Sequence, residues 1–335
     1  MEYRSLGSSG LKVSPLCLGT MMFGGPADEA TAGRIVDRAR DQGVNFIDTA
    51  DGYTGGRSEE VVSRTIAAHR SWWVLATKCA NPTGPGPNAR GLSRRHVQHA
   101  VEASLRRLGV SEIDILYLHK EDHATPLAET VHALADLIRA GKVRYFGVSN
   151  YRAWRVAEIC RLCDAAGIDR PVASQPLYNM LNREVETEHL PACGHFGLGV
   201  VPYSPLARGV LTGKYRPDVP PPADTRAGRQ DRRMLESEWR PDSLRIAREI
   251  AAHAQARGMT PGQFAFAWVL RNRLVTAAIG GPRTEAQWED YAGALTVRLD
   301  AADEALVDRL VSPGHPSTPG YNDPAYPIEG RMARG

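Results

Sequence analysis

Short runs of apolar residues alternate along this chain with longer stretches whose apolar positions recur at helical spacing. The apolar runs fall at 13–18, 44–47, 72–77, 113–118, 143–148, 172–174, 199–202 and 276–279. Each is the length of a strand and apolar on both faces, as expected of strands covered from both sides. Between them the spacing predicts helices at 28–41, 58–68, 93–108, 127–140, 152–166 and 184–195. Further helices are expected at 243–257, 261–272, 284–294 and 301–310. Local signals mark several ends: Ser93 as an N-cap, an acidic start at Ser58-Glu59-Glu60, and Gly43, Gly141 and Gly167 as stops.

Eight strand–helix units in strict alternation predict an α/β fold of the (β/α)8, or TIM-barrel, type. Residues 1–13 alternate around Ser8-Ser9-Gly10 and read as an N-terminal β-hairpin. The whole chain, 1–335, reads as a single barrel domain with a long loop at 208–241 and a Pro/Gly-rich C-terminal tail at 312–335. The rival is a doubly wound sheet. For a dinucleotide it would carry Gly-x-Gly-x-x-Gly after the first strand. Here that strand runs into Gly19-Thr20-Met21 instead.

Charge and composition narrow the classes of function. The net charge is +3, and no polybasic run is present, so neither nucleic acid nor a membrane surface is expected as partner. No apolar run approaches the length of a membrane span. Five cysteines scattered through apolar runs, with no signal-peptide pattern at the N-terminus, predict a cytoplasmic protein. Cys160 and Cys163 have metal-ligand spacing, but no second pair completes a site, and no metal is expected.

Barrels carry their chemistry at the C-terminal ends of the strands. The second strand ends in Asp48 with Tyr53 close behind, the third in Lys78 and the fourth in His119. Only five of the 41 basic residues are lysines, so a lysine inside an apolar strand stands out. Singly, each of these groups is ordinary. Together they make a tuned proton donor. Free tyrosine has a pKa of about 10, too high for ready proton donation at neutral pH. A lysine cation beside the phenol favours its ionised form, a carboxylate keeps the lysine charged, and a histidine can orient a substrate oxygen.

These residues in these contexts resemble the aldo-keto reductase superfamily, over nearly the whole chain. The motifs are Phe46-Ile47-Asp48-Thr49-Ala50 with Tyr53, Ala76-Thr77-Lys78, and Asp114-Ile115-Leu116-Tyr117-Leu118-His119. The resemblance implies that Asp48, Tyr53, Lys78 and His119 are the catalytic tetrad. It implies an NADP(H) cofactor, NADPH in preference to NADH, and a small-molecule carbonyl substrate. Gly19, Thr20, Met21 and Asp48 are then cofactor contacts. Ser149, Asn150 and Gln175 would hold the nicotinamide carboxamide, and Tyr203 would stack on the ring. Ser204, Leu206, Gly209 and Lys214 match the pyrophosphate loop, with Arg226 joining them. Gly281, Arg283, Gln287 and Asp290 match the segment for the adenosine 2′-phosphate and adenine. Three places depart from the pattern: Asp290-Tyr291 stands for Glu-Asn, Gly280-Gly281 for Pro-Gly, and Arg208 for a common glycine.

The implied activity is reduction of an aldehyde or ketone, or the reverse, with Tyr53 as proton donor. An alternative from the same superfamily, which includes potassium-channel β subunits, is an NADPH-binding regulatory subunit with little turnover. A barrel isomerase or hydrolase, a third reading, would bind no NADPH. Met22, Phe23, Trp73 and Tyr178 are expected to shape the substrate pocket. The tail's prolines and tyrosines suggest an ordered lid or a contact in a homo-oligomer.

Overall fold

A computed structural model describes residues 1–217 and 219–328. Asp218, in the expected loop 208–241, and residues 329–335 of the expected tail lie outside the described residues. Among the described residues the chain opens with two antiparallel strands, β1 (Arg4–Ser5) and β2 (Lys12–Val13). Eight parallel strands follow: β3 (Leu16–Gly19), β4 (Phe46–Asp48), β5 (Val74–Cys79), β6 (Ile113–Leu118), β7 (Val143–Ser149), β8 (Ala173–Gln175), β9 (Gly199–Val200) and β10 (Ala278–Gly280). They pair in the order β10-β3-β4-β5-β6-β7-β8-β9. The ring is joined between its ends. Val200 bridges Val275 in parallel, Thr276 N–H donates to Val200 O at 2.8 Å, and Ile279 N–H donates to Pro202 O at 3.0 Å. This is the (β/α)8 barrel with its N-terminal hairpin.

Helices α1 (Glu29–Asp41), α2 (Arg57–Ile66), α3 (Arg94–Leu108), α4 (Leu127–Arg139), α5 (Ala153–Ala166) and α6 (His189–Phe196) follow β3 to β8 in turn. After β9 come α7 (Arg232–Ser237), α8 (Pro241–Ala256) and α9 (Pro261–Arg271); after β10 come α10 (Glu285–Gly293) and α11 (Ala301–Leu310). Side chains secure the expected starts: Asp28 accepts from Thr31 N–H ahead of α1, and Ser93 accepts from His96 N–H ahead of α3.

Contacts divide the chain into two units. The first, Met1–Pro176, Glu188–Tyr203 and Asn272–Ala292, holds all ten strands. Its interior is solid. Cys17, Phe46, Val74, Ala76, Ile115, Tyr117, Ala173, Val201, Ala277 and Ile279 form one buried cluster, and Leu6 and Val13 of the hairpin join it. Ser8 N–H bonds Gly197 O just ahead of β9, which holds the hairpin at the N-terminal end of the strands. Gly147 is bare because Tyr117 fills its place: a Cβ there would lie 2.6 Å from the Tyr117 ring.

The second unit takes in Leu177–Thr187, Ser204–Arg271 and residues 293–328. The buried Arg240 is its hub, donating to Leu181 O, Asn182 Oδ1 and Ser317 Oγ, with Tyr321 stacked 3.8 Å away. Arg233 grips Asp323 through both guanidinium nitrogens at 3.0 and 2.6 Å. The described part of the tail is thus an ordered strap on this unit.

Three expectations need correction. The helix at 184–195 is broken into a 3-10 turn, Glu184–Glu186, and α6. Pro191 is the cause, because its ring tolerates only the first turn of a helix. The loop 208–241 is not bare: it contains the turn Ala207–Thr212 and α7, which Asp231 caps by accepting from Met234 N–H. Trp72 belongs to a 3-10 turn, Ala67–Trp72, rather than to a strand. Among the described residues no helix is long and apolar enough to cross a membrane.

Candidate active site

Strand periodicity builds this site. Side chains alternate faces, so every second residue of a barrel strand points inward. On β4 the inward Phe46 is followed by Asp48; on β5, Val74 and Ala76 are followed by Lys78. Beyond Ile115 and Tyr117 of β6 comes His119. The same step reaches Ser149 past Gly147 on β7, Gln175 past Ala173 on β8, Tyr203 past Val201, and Gly281 past Ile279. Gly19 ends β3, paired with Asp48. Seven of the expected residues of this unit therefore form the next inward layer beyond the packed core, at the C-terminal mouth, and Gly19 stands in register with Asp48.

Lys78 is the centre of that layer and is fully buried. Its ammonium donates to the Asp48 carboxylate, to Thr49 O at 2.7 Å and to Tyr53 Oη at 3.1 Å. All three of its protons are therefore used. Burial by itself would drive the ammonium toward neutrality. The charges of Asp48 and Tyr53 and the bonds to both outweigh it, and the Lys78 pKa rises above its ordinary value. Asp48 spends its second oxygen on Gln175, whose Nε2 donates at 2.9 Å.

Tyr53 reaches this point by a tight turn. After β4 the ladder to β5 continues through Thr49 N–H to Ala76 O and Asp51 N–H to Lys78 O. The 3-10 turn Tyr53–Gly56 then passes through left-handed backbone at Thr54, Gly55 and Gly56. Its entry is fastened by buried hydroxyls, with Ser58 Oγ within 2.9 Å of Thr20 Oγ1 and 3.0 Å of Thr49 Oγ1. Thr20, expected as a cofactor contact, has its side chain wholly buried in this cluster.

The His119 ring stands edge-on to Tyr53, with centroids 5.9 Å apart and planes at 80°. Burial first, then the Lys78 and Lys120 cations, push its pKa down to about 3, so the imidazole is neutral at physiological pH. Its Nδ1 lies 3.1 Å from Asn81 Nδ2. Asn150, with a left-handed φ of +57°, donates from Nδ2 to His119 O at 3.0 Å and accepts from Tyr203 Oη at 2.8 Å. Ser149 Oγ bonds Gln175 O at 2.8 Å. At the other end of the expected set, Gln287 Oε1 accepts from Arg283 N–H at 2.9 Å, just ahead of α10, which carries Asp290.

In the second unit, Ser204, Leu206, Gly209 and Lys214 lie on one loop. Its backbone is left-handed at Ser204, Ala207, Arg208, Gly209 and Gly213. A Cβ on Gly209 would stand 3.2 Å from Lys214 Nζ, so the bare glycine leaves room beside the ammonium. Arg226 is held at 3.3 Å by Asp231, the N-cap of α7.

Three pocket expectations fail. Phe23, Trp73 and Tyr178 are 0%, 3% and 1% exposed. Trp73 also precedes β5, at the opposite end of the strand from Lys78. Tyr178 packs on Trp268 and bonds Glu186 within the second unit. Sequence reasoning also missed Thr49 O, Asn81 and Asp51. A backbone acceptor has no residue signature, and Asn81 and Asp51 sit in stretches read only as loop. Asp51 is buried with no side-chain partner for either carboxylate oxygen.

The family model of the aldo/keto reductase family matches residues 15–312. The chain belongs to the aldo/keto reductase family. That is a family of oxidoreductases, and this is the class in which the chain falls. A protein of Arabidopsis thaliana named probable voltage-gated potassium channel subunit beta is 39% identical over 303 residues, 89% of this chain and 92% of its own. The uncharacterized oxidoreductase YrpG of Bacillus subtilis is 37% identical over 338 aligned residues, 97% of this chain and 99% of its own. A putative voltage-gated potassium channel subunit beta of Schizosaccharomyces pombe is 35% identical over 294 residues.

Proposed function

We propose that this aldo/keto reductase is an NADPH-dependent carbonyl reductase in which Tyr53 gives the proton to the substrate oxygen. The observation that carries the reading is the grip of Lys78 on the Tyr53 phenol, with Asp48 holding the cation. The bound cofactor would supply the hydride that turns the carbonyl carbon into an alcohol carbon. The rest is the work of side chains. As charge builds on the substrate oxygen, the Tyr53 hydroxyl delivers its proton there, and the Lys78 ammonium at 3.1 Å stabilises the phenolate left behind. The neutral His119 donates a hydrogen bond to the same oxygen and orients it. In the direction of alcohol oxidation the Tyr53 phenolate takes the proton back.

The residues suit NADP(H) in their chemistry. Gln175 gives its amide nitrogen to Asp48 and keeps Oε1 to accept from the nicotinamide carboxamide. Ser149 and Asn150 flank it, Tyr203 offers an aromatic face, Gly19 and Met21 complete the wall, and Thr20 braces it from the buried hydroxyl cluster. Lys214 beside the bare Gly209, with Ser204, Leu206 and Arg226, suits a pyrophosphate. Gly281, Arg283, Gln287 and Asp290 suit the 2′-phosphate and adenine. Arg283 supports NADPH over NADH because a guanidinium donates two parallel bonds to a phosphate. The potassium-channel names of two relatives favour a second reading, a cofactor-binding subunit with little turnover.

Titration of the purified protein with NADPH and NADH, followed by tryptophan quenching, tests the cofactor; a panel of small aldehydes and ketones tests turnover. The expected result is binding of NADPH at least about tenfold tighter than NADH, a difference of about 1.4 kcal/mol, with carbonyl-dependent oxidation of the cofactor. Tight binding without turnover on any carbonyl would select the subunit reading. Absence of binding would sink both.

A further inference from the structure

We propose that Asn81 is a positioning residue that fixes the tautomer of His119, so that Nε2 carries the proton offered to the carbonyl oxygen. The proposal deepens the reductase reading and rests on it for the part played in turnover.

A neutral imidazole has one proton and two nitrogens, and the partner of one nitrogen decides which holds it. His119 is fixed through its backbone: its N–H donates to Cys79 O at 2.9 Å and its carbonyl accepts from Asn150. Its Nδ1 faces the amide nitrogen of Asn81 at 3.1 Å. An amide nitrogen can only donate, so Nδ1 must accept and the proton sits on Nε2. The groups around the ring are Tyr53, the Lys78 cation paired with Asp48, and Lys120. With that ring already neutral, the remaining question of which nitrogen carries the proton falls to Asn81.

The backbone supports a dedicated role. Ala80, between Lys78 and Asn81, is buried and adopts φ +134°, a region that side-chain-bearing residues rarely enter. Gly91 N–H pins its carbonyl at 2.9 Å. On the other side Pro82 restricts Asn81 to extended backbone. Asn81 is thus clamped from both neighbours.

The test reads the ring directly. Protein labelled with 15N-histidine is followed by long-range 1H–15N correlation from pH 5.5 to 8, with the His119 signals assigned by their loss in His119→Gln. Wild type should show Nε2 protonated, Nδ1 bare and no titration. Asn81→Asp offers only acceptors at physiological pH. It should move the proton to Nδ1 or make the ring titrate within this range, and lower kcat at least about tenfold with NADPH affinity unchanged. Asn81→Leu, a second half-exposed substitution, should give mixed tautomers and a smaller loss. A proton on Nδ1 in wild type, or an unaltered Nε2–H in Asn81→Asp, would overturn the proposal. A reversed tautomer with undiminished kcat would overturn the catalytic part and remove His119 from the proposed mechanism. The spectra decide the tautomer even if no carbonyl is turned over, so the two failures are told apart.

Discussion

Lys78 shows how a buried cation can be both safe and useful. A lone ammonium in a barrel interior would be prohibitively costly, and it survives because Asp48, Thr49 O and Tyr53 take all three of its protons. The stabilisation and the proposed chemistry are the same contacts. Asp51, three residues from Asp48, is the opposite case. Burial, and then the charge of Glu59, push its carboxyl up to about 7, against the pull of Arg107, the Gly52 N–H and Lys78. Its folded pKa lies above its unfolded one, so the native state holds the extra proton and loses stability as pH rises from about 4 to 7. Asp51→Asn should remove that loss: relative to wild type its thermal midpoint should climb between pH 5 and pH 8, by a stability gain on the order of 2 kcal/mol. A midpoint difference that is flat with pH would mean that Asp51 is not buried as a neutral acid. The tetrad residues were legible because rare residue types stood at strand ends. Asp51 was not, because nothing in its type distinguishes a buried orphan from a solvated loop carboxylate.

Among elements, the turn Ala207–Thr212 leaves regular backbone at Ala207, Arg208 and Gly209. Arg208 occupies a left-handed position, φ +51°, where the superfamily pattern has glycine. Its guanidinium donates to Ser237 Oγ at 3.3 Å and attracts the buried Glu238. Burial raises the Glu238 carboxyl to about 7, while Arg208 and Arg240 pull it back. Two effects then compete in Arg208→Gly. Relief of backbone strain favours the variant by up to about 1 kcal/mol at any pH. Loss of the cation lets the folded-state Glu238 pKa rise further, which costs stability only above pH 7. Thermal unfolding should therefore find the variant at least as stable as wild type at pH 6 and less favoured at pH 8.5. A difference independent of pH would sever the link to Glu238. Helix periodicity and caps made α1, α3, α4, α5, α9 and α11 readable almost to the residue. It failed where short-range chemistry overrides spacing: at Pro191, which breaks 184–195, and at Asp231, a cap signal inside a loop-rich composition.

At the scale of the molecule, alternation of apolar runs with helical stretches was enough to give the (β/α)8 class, since eight doubly covered strands close most simply on themselves. The closure itself was not readable. Among the described residues it rests on a single bridge at Val200–Val275 and three flanking backbone bonds. Nor was the inward layer as a layer: it follows from strand register, which spacing along one strand cannot supply. The division into two units, and the strap of the tail around Arg240, depend on contacts between residues far apart in sequence. The central claim, that Tyr53 moves the proton under the control of Lys78, meets its most direct test in Tyr53→Phe. NADPH affinity and carbonyl-dependent turnover are measured side by side in that variant and in wild type. The account predicts affinity within about twofold of wild type and turnover reduced by at least about 10²-fold. Turnover close to wild type would contradict it.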